Sequence, residues 1–331
     1  MENNKKFAVI GGGSWATAIA KMLCENQEKI AWYMRSTYAL EHLKHQKHNP
    51  NYLSSVAFDT DKLQLTNDIN EAIKFADIVI FAIPSAFLSG ELEKMTESLE
   101  GKTIFSAIKG IVPETSLIVG EHFHTHFNIP YENIGVITGP CHAEEVALER
   151  LSYLTIACAD EEKAKYVAKN VSSYYIKAKT SDDIVGTGYA AVLKNIYSIA
   201  AGIAHGLGYG DNFQAVLMSN AIREMKKFIK KVHKMKRNIN DSAYLGDLLV
   251  TGYSVFSRNR MFGNMIGKGY TVKSAQMEMS MVAEGYYAVK SAYNLNLEYK
   301  AKTPIIDAVY QILYEGKDAK AVFAKLTEKL D

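Results

Sequence analysis

The chain has 331 residues, 48% of them hydrophobic and 22% charged, with a formal net charge of +2 at pH 7. That length suits two domains with a large core, and the near-neutral balance excludes a general attraction to nucleic acid or to an anionic membrane surface. Cys24, Cys141 and Cys158 are the only cysteines; they form no CxxC pair and suggest no disulfide framework, which fits a reducing cytoplasm.

Residues 1–6 lead directly into the first strand, so no signal peptide is expected, and no apolar run is long enough to span a bilayer. The strand Phe7 to Ile10 runs into Gly11-Gly12-Gly13-Ser14-Trp15-Ala16 and then into an apolar helix from Thr17 to Leu23. Strand, glycines and helix in that order are the pattern of a dinucleotide pyrophosphate site, against the alternative of an ordinary glycine-rich turn. Gly11 allows the tight turn, Gly13 lets the backbone approach the phosphates, and Ala16 lets helix and strand pack closely. Ser14 and Trp15 open the helix, whose N-terminus offers N–H groups and a positive dipole end to the anion.

Lys29 to Met34 reads as the second strand. An acid at its end would bind the ribose 2′-OH of NAD. No acid occurs between Glu28 and Glu41, and Arg35 stands there instead. Arg35 suits a 2′-phosphate, so NADP(H) is expected, with NAD(H) also accepted. The run from Ala76 to Ile83, ended by Pro84, has the continuous apolar character of a buried parallel strand. Thr103 to Ile108, Ile134 to Thr138 and Tyr153 to Ala157 are further strands, with helical segments between them. Repeated βα units imply a doubly wound parallel sheet.

The character changes near Ser181-Asp182-Asp183. Beyond it apolar residues recur at helical spacing, as in Val192, Ile196, Ile199 and Ile203. The expected fold is therefore α/β, a Rossmann-type dinucleotide-binding domain over residues 1–181 followed by a mostly α-helical substrate and catalytic domain over 182–331.

Four polar groups carry candidate chemistry. Lys109-Gly110 follows a strand, where such sheets bind ligands. Gly139-Pro140-Cys141-His142-Ala143 reads as a tight turn whose backbone approaches a ligand. Lys194-Asn195 sits inside an apolar helix, where burial lowers a lysine pKa and suits it to donate a proton near neutral pH. Asp247 is placed to hydrogen-bond that lysine or a substrate hydroxyl, and Ser257-Arg258-Asn259 to take a phosphate, with Arg258 forking onto its oxygens. The lysine-rich stretch from Lys226 to Arg237 reads as a solvated helix face. His122, His124 and His126 lie on a helical segment with no accompanying ligand set, so no metal site is expected.

Ordered stretches resemble the bacterial soluble type of NAD(P)-dependent glycerol-3-phosphate dehydrogenase. They are GGGSWATAIA from Gly11, AIPS from Ala82, AIKG from Ala107, TGPCHAEEVA from Thr138, VLKNIYSIAAGIAHGLGYGDN from Val192, LGDLLVT from Leu245, SRNRMFG from Ser257 and VAEGY from Val282. The resemblance implies reversible reduction of dihydroxyacetone phosphate to sn-glycerol 3-phosphate, feeding glycerophospholipid synthesis in the cytoplasm, with a homodimer as the family-level expectation. It makes Lys194 the proton donor, with Asp247 and Asn195 beside it. Lys109, Gly139, Cys141, Lys194, Asp247, Ser257, Arg258 and Asn259 match substrate positions. Gly11, Gly13, Ser14, Trp15, Arg35, Lys109, Ala143, Arg258, Val282 and Glu284 match cofactor positions. Two departures stand out: Cys141 replaces a usual Ser or Thr, and Ser219-Asn220-Ala221 replaces a Thr-Arg-Gly stretch. The competing readings are a reductase of another small phosphorylated ketone and a non-catalytic nicotinamide-binding sensor.

Overall fold

The computed structural model describes residues 4–279 and 283–331. The chain divides into two compact units. The first comprises residues 1–108 and 119–184, and the second residues 109–118 and 185–331. The ten-residue segment that begins at Lys109 thus belongs to the second unit although it is embedded in the sequence of the first.

The first unit is built on strands β1 (Phe7–Ile10), β2 (Ile30–Tyr33), β3 (Leu63–Thr66), β4 (Ile78–Phe81) and β5 (Thr103–Ser106). The short β6 (Ile111–Val112) and β7 (Leu117–Ile118) pair as a separate hairpin in the second unit. Strands β8 (Ile134–Thr138), β9 (Ser152–Cys158) and β10 (Ile176–Ser181) complete the main sheet. Its order is β10-β9-β8-β5-β4-β1-β2-β3. The central strands β1, β2, β4, β5 and β8 are buried along their whole length, as a sheet covered on both faces requires. Helices α1 (Ser14–Asn26), α2 (Thr37–Gln46), α3 (Ile69–Phe75), α4 (Leu88–Leu92), α5 (Val119–Phe127), α6 (Ala143–Ala147) and α7 (Glu161–Val171) connect them.

Every neighbouring pair is parallel except β8 and β9, which are antiparallel. The sheet is thus dominated by parallel pairs, as the doubly wound expectation has it, with one antiparallel pair. Their connection holds only the five-residue α6. At about 1.5 Å per residue such a helix is roughly half the length of the five-residue β8, too short to carry the chain back for a parallel return. Strands also end earlier than their apolar runs. β2 stops at Tyr33, β4 at Phe81 and β5 at Ser106.

The second unit is helical: α8 (Ile184–Gly206), α9 (Asp211–Val232), α10 (Asp247–Tyr253), α11 (Arg258–Gly267), α12 (Val272–Glu278), α13 (Glu284–Tyr299), α14 (Pro304–Leu313) and α15 (Ala319–Thr327). Val192, Ile196, Ile199 and Ile203 are all in its core. Lys226, Lys227, Lys230 and Lys231 are exposed on α9 while Met225, Phe228 and Ile229 are buried, so the basic run is a solvated face. Helix α8 is apolar nearly all round and is accordingly a central, buried helix.

Its glycines set its distance from α11. A Cβ on Gly202 would stand 2.1 Å from the Arg260 carbonyl oxygen, and one on Gly263 would stand 2.1 Å from that of Ile199. The two backbones therefore touch. The register, Ile199 against Gly263 and Ile203 against Gly267, makes the helices run side by side in the same direction. The N-terminus of α11, with Arg258 and Asn259, thus lies near the level of Lys194 and Asn195.

Candidate active site

The glycine turn after β1 closes three strand ends together. Gly11 has φ +136°, its N–H donates to the Tyr33 carbonyl at 3.1 Å, and a Cβ there would stand 2.4 Å from the Ala82 carbonyl oxygen. No other residue fits. Gly13 is different: it precedes α1 with extended backbone, and a Cβ there would meet nothing of the chain within 4 Å. The fold itself does not demand that glycine, whereas a pyrophosphate laid against the helix start would. The first turn of α1 carries no acidic side chain to repel an anion. Ala16 is wholly buried against the sheet, Ser14 is buried, and Trp15 is half-buried. Arg35, beyond β2, has its side chain 72% exposed. These residues fit a dinucleotide.

The first unit also holds Gly139, Cys141 and Ala143. Gly139 has φ +120°, and a Cβ there would stand 2.8 Å from the Tyr153 carbonyl oxygen. The close approach that demands glycine at 139 is therefore to the β9 backbone. Cys141 and Ala143 are buried, and Ala143 is the first residue of α6.

In the second unit, α8 carries Lys194 and Asn195 into the interior, both about 95% buried. Lys194 Nζ donates to Asp247 Oδ1 and to Thr251 Oγ1 at 3.0 Å. Thr251 Oγ1 in turn donates to the Asp247 carbonyl at 2.6 Å. Lys109 Nζ lies 3.6 Å from Asp247 Oδ2, and the Lys109 carbonyl accepts from Asn195 Nδ2 at 2.8 Å. Asp247 is thus a buried anion between two lysines, and Asn195 fixes the backbone of one of them. Burial pulls the Lys194 ammonium down to about 7, the nearby Lys109 charge pushes the same way, and Asp247 opposes both. The group can hold or give a proton near neutral pH.

The phosphate candidates are ordered by a second network. Ser257 caps α11, its Oγ accepting from the Arg260 N–H at 3.3 Å. The same oxygen lies 2.8 Å from Ser198 Oγ, and Ser198 donates to the Thr251 carbonyl at 2.8 Å. The Ser257 hydroxyl thus ties the start of α11 to α8, and through Ser198 to α10. Asn259 Oδ1 accepts from the Gly285 N–H at 2.9 Å, tying α11 to the start of α13. Arg258 is the first residue of α11 and is partly exposed. Glu284 opens α13, and Val282 lies outside the described residues.

Two participants escaped the sequence reading. Thr251 stands four residues after Asp247, one turn along α10, a spacing that puts both on one face. Ser198 stands four residues after Lys194 and links the lysine's helix to both α10 and α11.

Comparison with known proteins bears on the whole chain. Residues 6–164 match the model of the NAD-dependent glycerol-3-phosphate dehydrogenase N-terminus, and residues 183–324 that of its C-terminus. A glycerol-3-phosphate dehydrogenase [NAD(P)+] of Streptococcus mutans is 33% identical over 97% of this chain and 95% of its own. That of Bacillus subtilis is 32% identical over 97% and 94%. Among solved structures, the glycerol-3-phosphate dehydrogenase of Coxiella burnetii superimposes with a TM-score of 0.90 at 25% identity, covering 98% of this chain and 99% of that one. The Plasmodium falciparum enzyme superimposes with a TM-score of 0.87 at 21% identity, over 97% and 94%, a likeness of fold. The chain therefore belongs to the NAD(P)-dependent glycerol-3-phosphate dehydrogenase family.

Proposed function

We propose that this chain catalyses the reversible NAD(P)H-dependent reduction of dihydroxyacetone phosphate to sn-glycerol 3-phosphate. In this reading it works in the cytoplasm, as a homodimer, and supplies glycerophospholipid synthesis. The observation that carries the reading is the buried Lys194 ammonium bonded to Asp247 and Thr251 in one unit with the α11 terminus. No helix among the described residues is long and apolar enough to cross a membrane.

A bound nicotinamide supplies the hydride. The chain's own residues handle the charge and the proton. As the carbonyl is reduced, negative charge grows on its oxygen, and the Lys194 ammonium stabilises that charge and then donates its proton. In the reverse direction neutral Lys194 takes the hydroxyl proton. Asp247 keeps the ammonium form accessible inside a buried site, and Thr251 fixes the direction of Nζ. Lys109 adds a second cation near the developing charge. Arg258 binds the phosphate, assisted by the positive end of the ten-residue α11. Asn259, held on Gly285, orients that end. Gly139 and Cys141 are proposed to line the substrate pocket, and Ala143, Val282 and Glu284 to meet the nucleotide together with Gly11, Gly13, Ser14, Trp15 and Arg35.

The test is a substrate panel with purified protein and both reduced nucleotides. Turnover of dihydroxyacetone phosphate well above that of other small phosphorylated ketones supports the reading. Tight nucleotide binding without turnover of any of them contradicts it and favours a sensor.

A further inference from the structure

In dinucleotide-binding sheets, a carboxylate at the C-terminal end of the second strand reads the ribose 2′-OH and disfavours a 2′-phosphate. This chain has no acid at that place in its sequence. The fold delivers one from elsewhere. Glu91 lies on α4, after β4, and is only 5% exposed. Its Oε2 accepts from Tyr33 Oη at 2.5 Å, on the last residue of β2. Its Oε1 accepts from Lys94 Nζ at 2.9 Å and lies 4.0 Å from Arg35 Nη1. The Tyr33 carbonyl also accepts from Gly11 of the glycine turn, so the cluster stands on the same rim as the dinucleotide turn. All of these residues belong to the first unit.

The geometry points to Glu91 as the residue that sets the nucleotide preference, holding NADPH back relative to NADH. Arg35 and Lys94, with side chains 72% and 49% exposed, are cations beside that carboxylate, and Arg35 is the one the sequence sets at the end of β2. Glu91 engages both. Its fixed negative charge compensates theirs and repels a further anion, while leaving a neutral ribose hydroxyl unaffected. A purely structural residue at the Glu91 site would have no cause to distinguish the two nucleotides, because the contacts within the fold are the same for each. The inference rests on the family's nicotinamide cofactor and on Arg35 facing the 2′ position.

The experiment measures dissociation constants for NADH and NADPH by nucleotide fluorescence. The proteins are the parent, Glu91→Gln, Lys94→Met, Arg35→Ala and Tyr33→Phe. Gln keeps the volume and an oxygen for Tyr33 but removes the charge. Glu91→Gln is expected to tighten NADPH relative to NADH by about tenfold, or roughly 1.4 kcal/mol. Lys94→Met, an exposed substitution that leaves the core intact, should weaken NADPH alone, as should Arg35→Ala. Tyr33→Phe should move both nucleotides alike. If Glu91→Gln changes both constants by the same factor, or if it does not fold and Lys94→Met leaves the ratio unchanged, the inference is overturned. If the parent binds neither nucleotide, the cofactor reading falls, and this inference with it.

Discussion

Replacing Asp247 by Asn removes the anion that offsets the burial of Lys194 and keeps an oxygen to accept from it. The Lys194 ammonium and the Asp247 carboxylate are in hydrogen-bond contact. Two unit charges about 4 Å apart interact by about 4 kcal/mol at an effective dielectric of 20, which corresponds to about three pKa units. Lys109, 3.6 Å from the same carboxylate, loses its counter-ion as well and repels Lys194 further. Lys194 already sits down at about 7, with burial the leading cause. A further fall of only two units leaves about 1% of it protonated at pH 7, against about half in the parent. Reduction needs the ammonium form, so in the parent kcat/KM for dihydroxyacetone phosphate should decline as pH rises past the Lys194 midpoint, which burial holds below the ordinary lysine value. In Asp247→Asn the rate at pH 7 should fall by about fiftyfold, and the decline should shift to lower pH. The loss should therefore shrink on acidification. The assay is the pH profile of kcat/KM for both proteins, with nucleotide affinity as a control. A variant whose profile keeps the parent midpoint, or moves to higher pH, would refute the reasoning.

Other consequences are checked by simpler means. Arg258→Ala should raise KM for the phosphorylated ketone by at least about tenfold, since a charge-assisted phosphate contact is worth about 1.5–3 kcal/mol, while kcat changes less; steady-state kinetics decides it. Gly263→Ala drives a methyl into the Ile199 carbonyl and should cost about 1–3 kcal/mol, seen as a lowered Tm in thermal unfolding. Glu224, buried with both oxygens on the Ile305 and Ile306 N–H groups at 2.8 and 3.1 Å, is pushed up to about 8 by that burial. The folded state therefore holds this proton more tightly than the unfolded chain. Its contribution to stability is full below about 4.5 and is lost as pH rises toward about 8. Glu224→Gln should flatten the fall in Tm between those limits, and an unchanged slope would count against the account.

The sequence was most legible where one signal sufficed. A glycine turn between an apolar strand and an apolar helix is what the structure holds after β1, and the lysine of the apolar stretch, Lys194, is buried on α8. Both the sheet class and the helical second half followed from hydrophobic periodicity. What stayed hidden has physical causes. β3 reads Leu-Gln-Leu-Thr and β10 reads Ile-Lys-Ala-Lys-Thr-Ser, edge strands with polar or charged outer positions rather than apolar runs. β6 and β7 are two residues each, too short for any period. The reversal between β8 and β9 depends on how far α6 reaches, which no residue pattern states. Thr251 and Ser198 became visible only once α8, α10 and α11 were seen to share buried hydroxyl bonds. Most instructive is the end of β2. Reading along β2 finds Arg35 and no acid, whereas the fold brings Glu91 from more than fifty residues away, its Oε2 bonded to the Tyr33 hydroxyl.

The most direct test of the central claim compares the parent chain with Lys194→Ala in dihydroxyacetone phosphate reduction, following oxidation of NADH and NADPH at saturating substrate. The account predicts brisk turnover by the parent and a loss of at least about a hundredfold in kcat for the variant, the lower end of what a positioned proton donor contributes, with nucleotide affinity retained. Near-parental turnover by Lys194→Ala would contradict it.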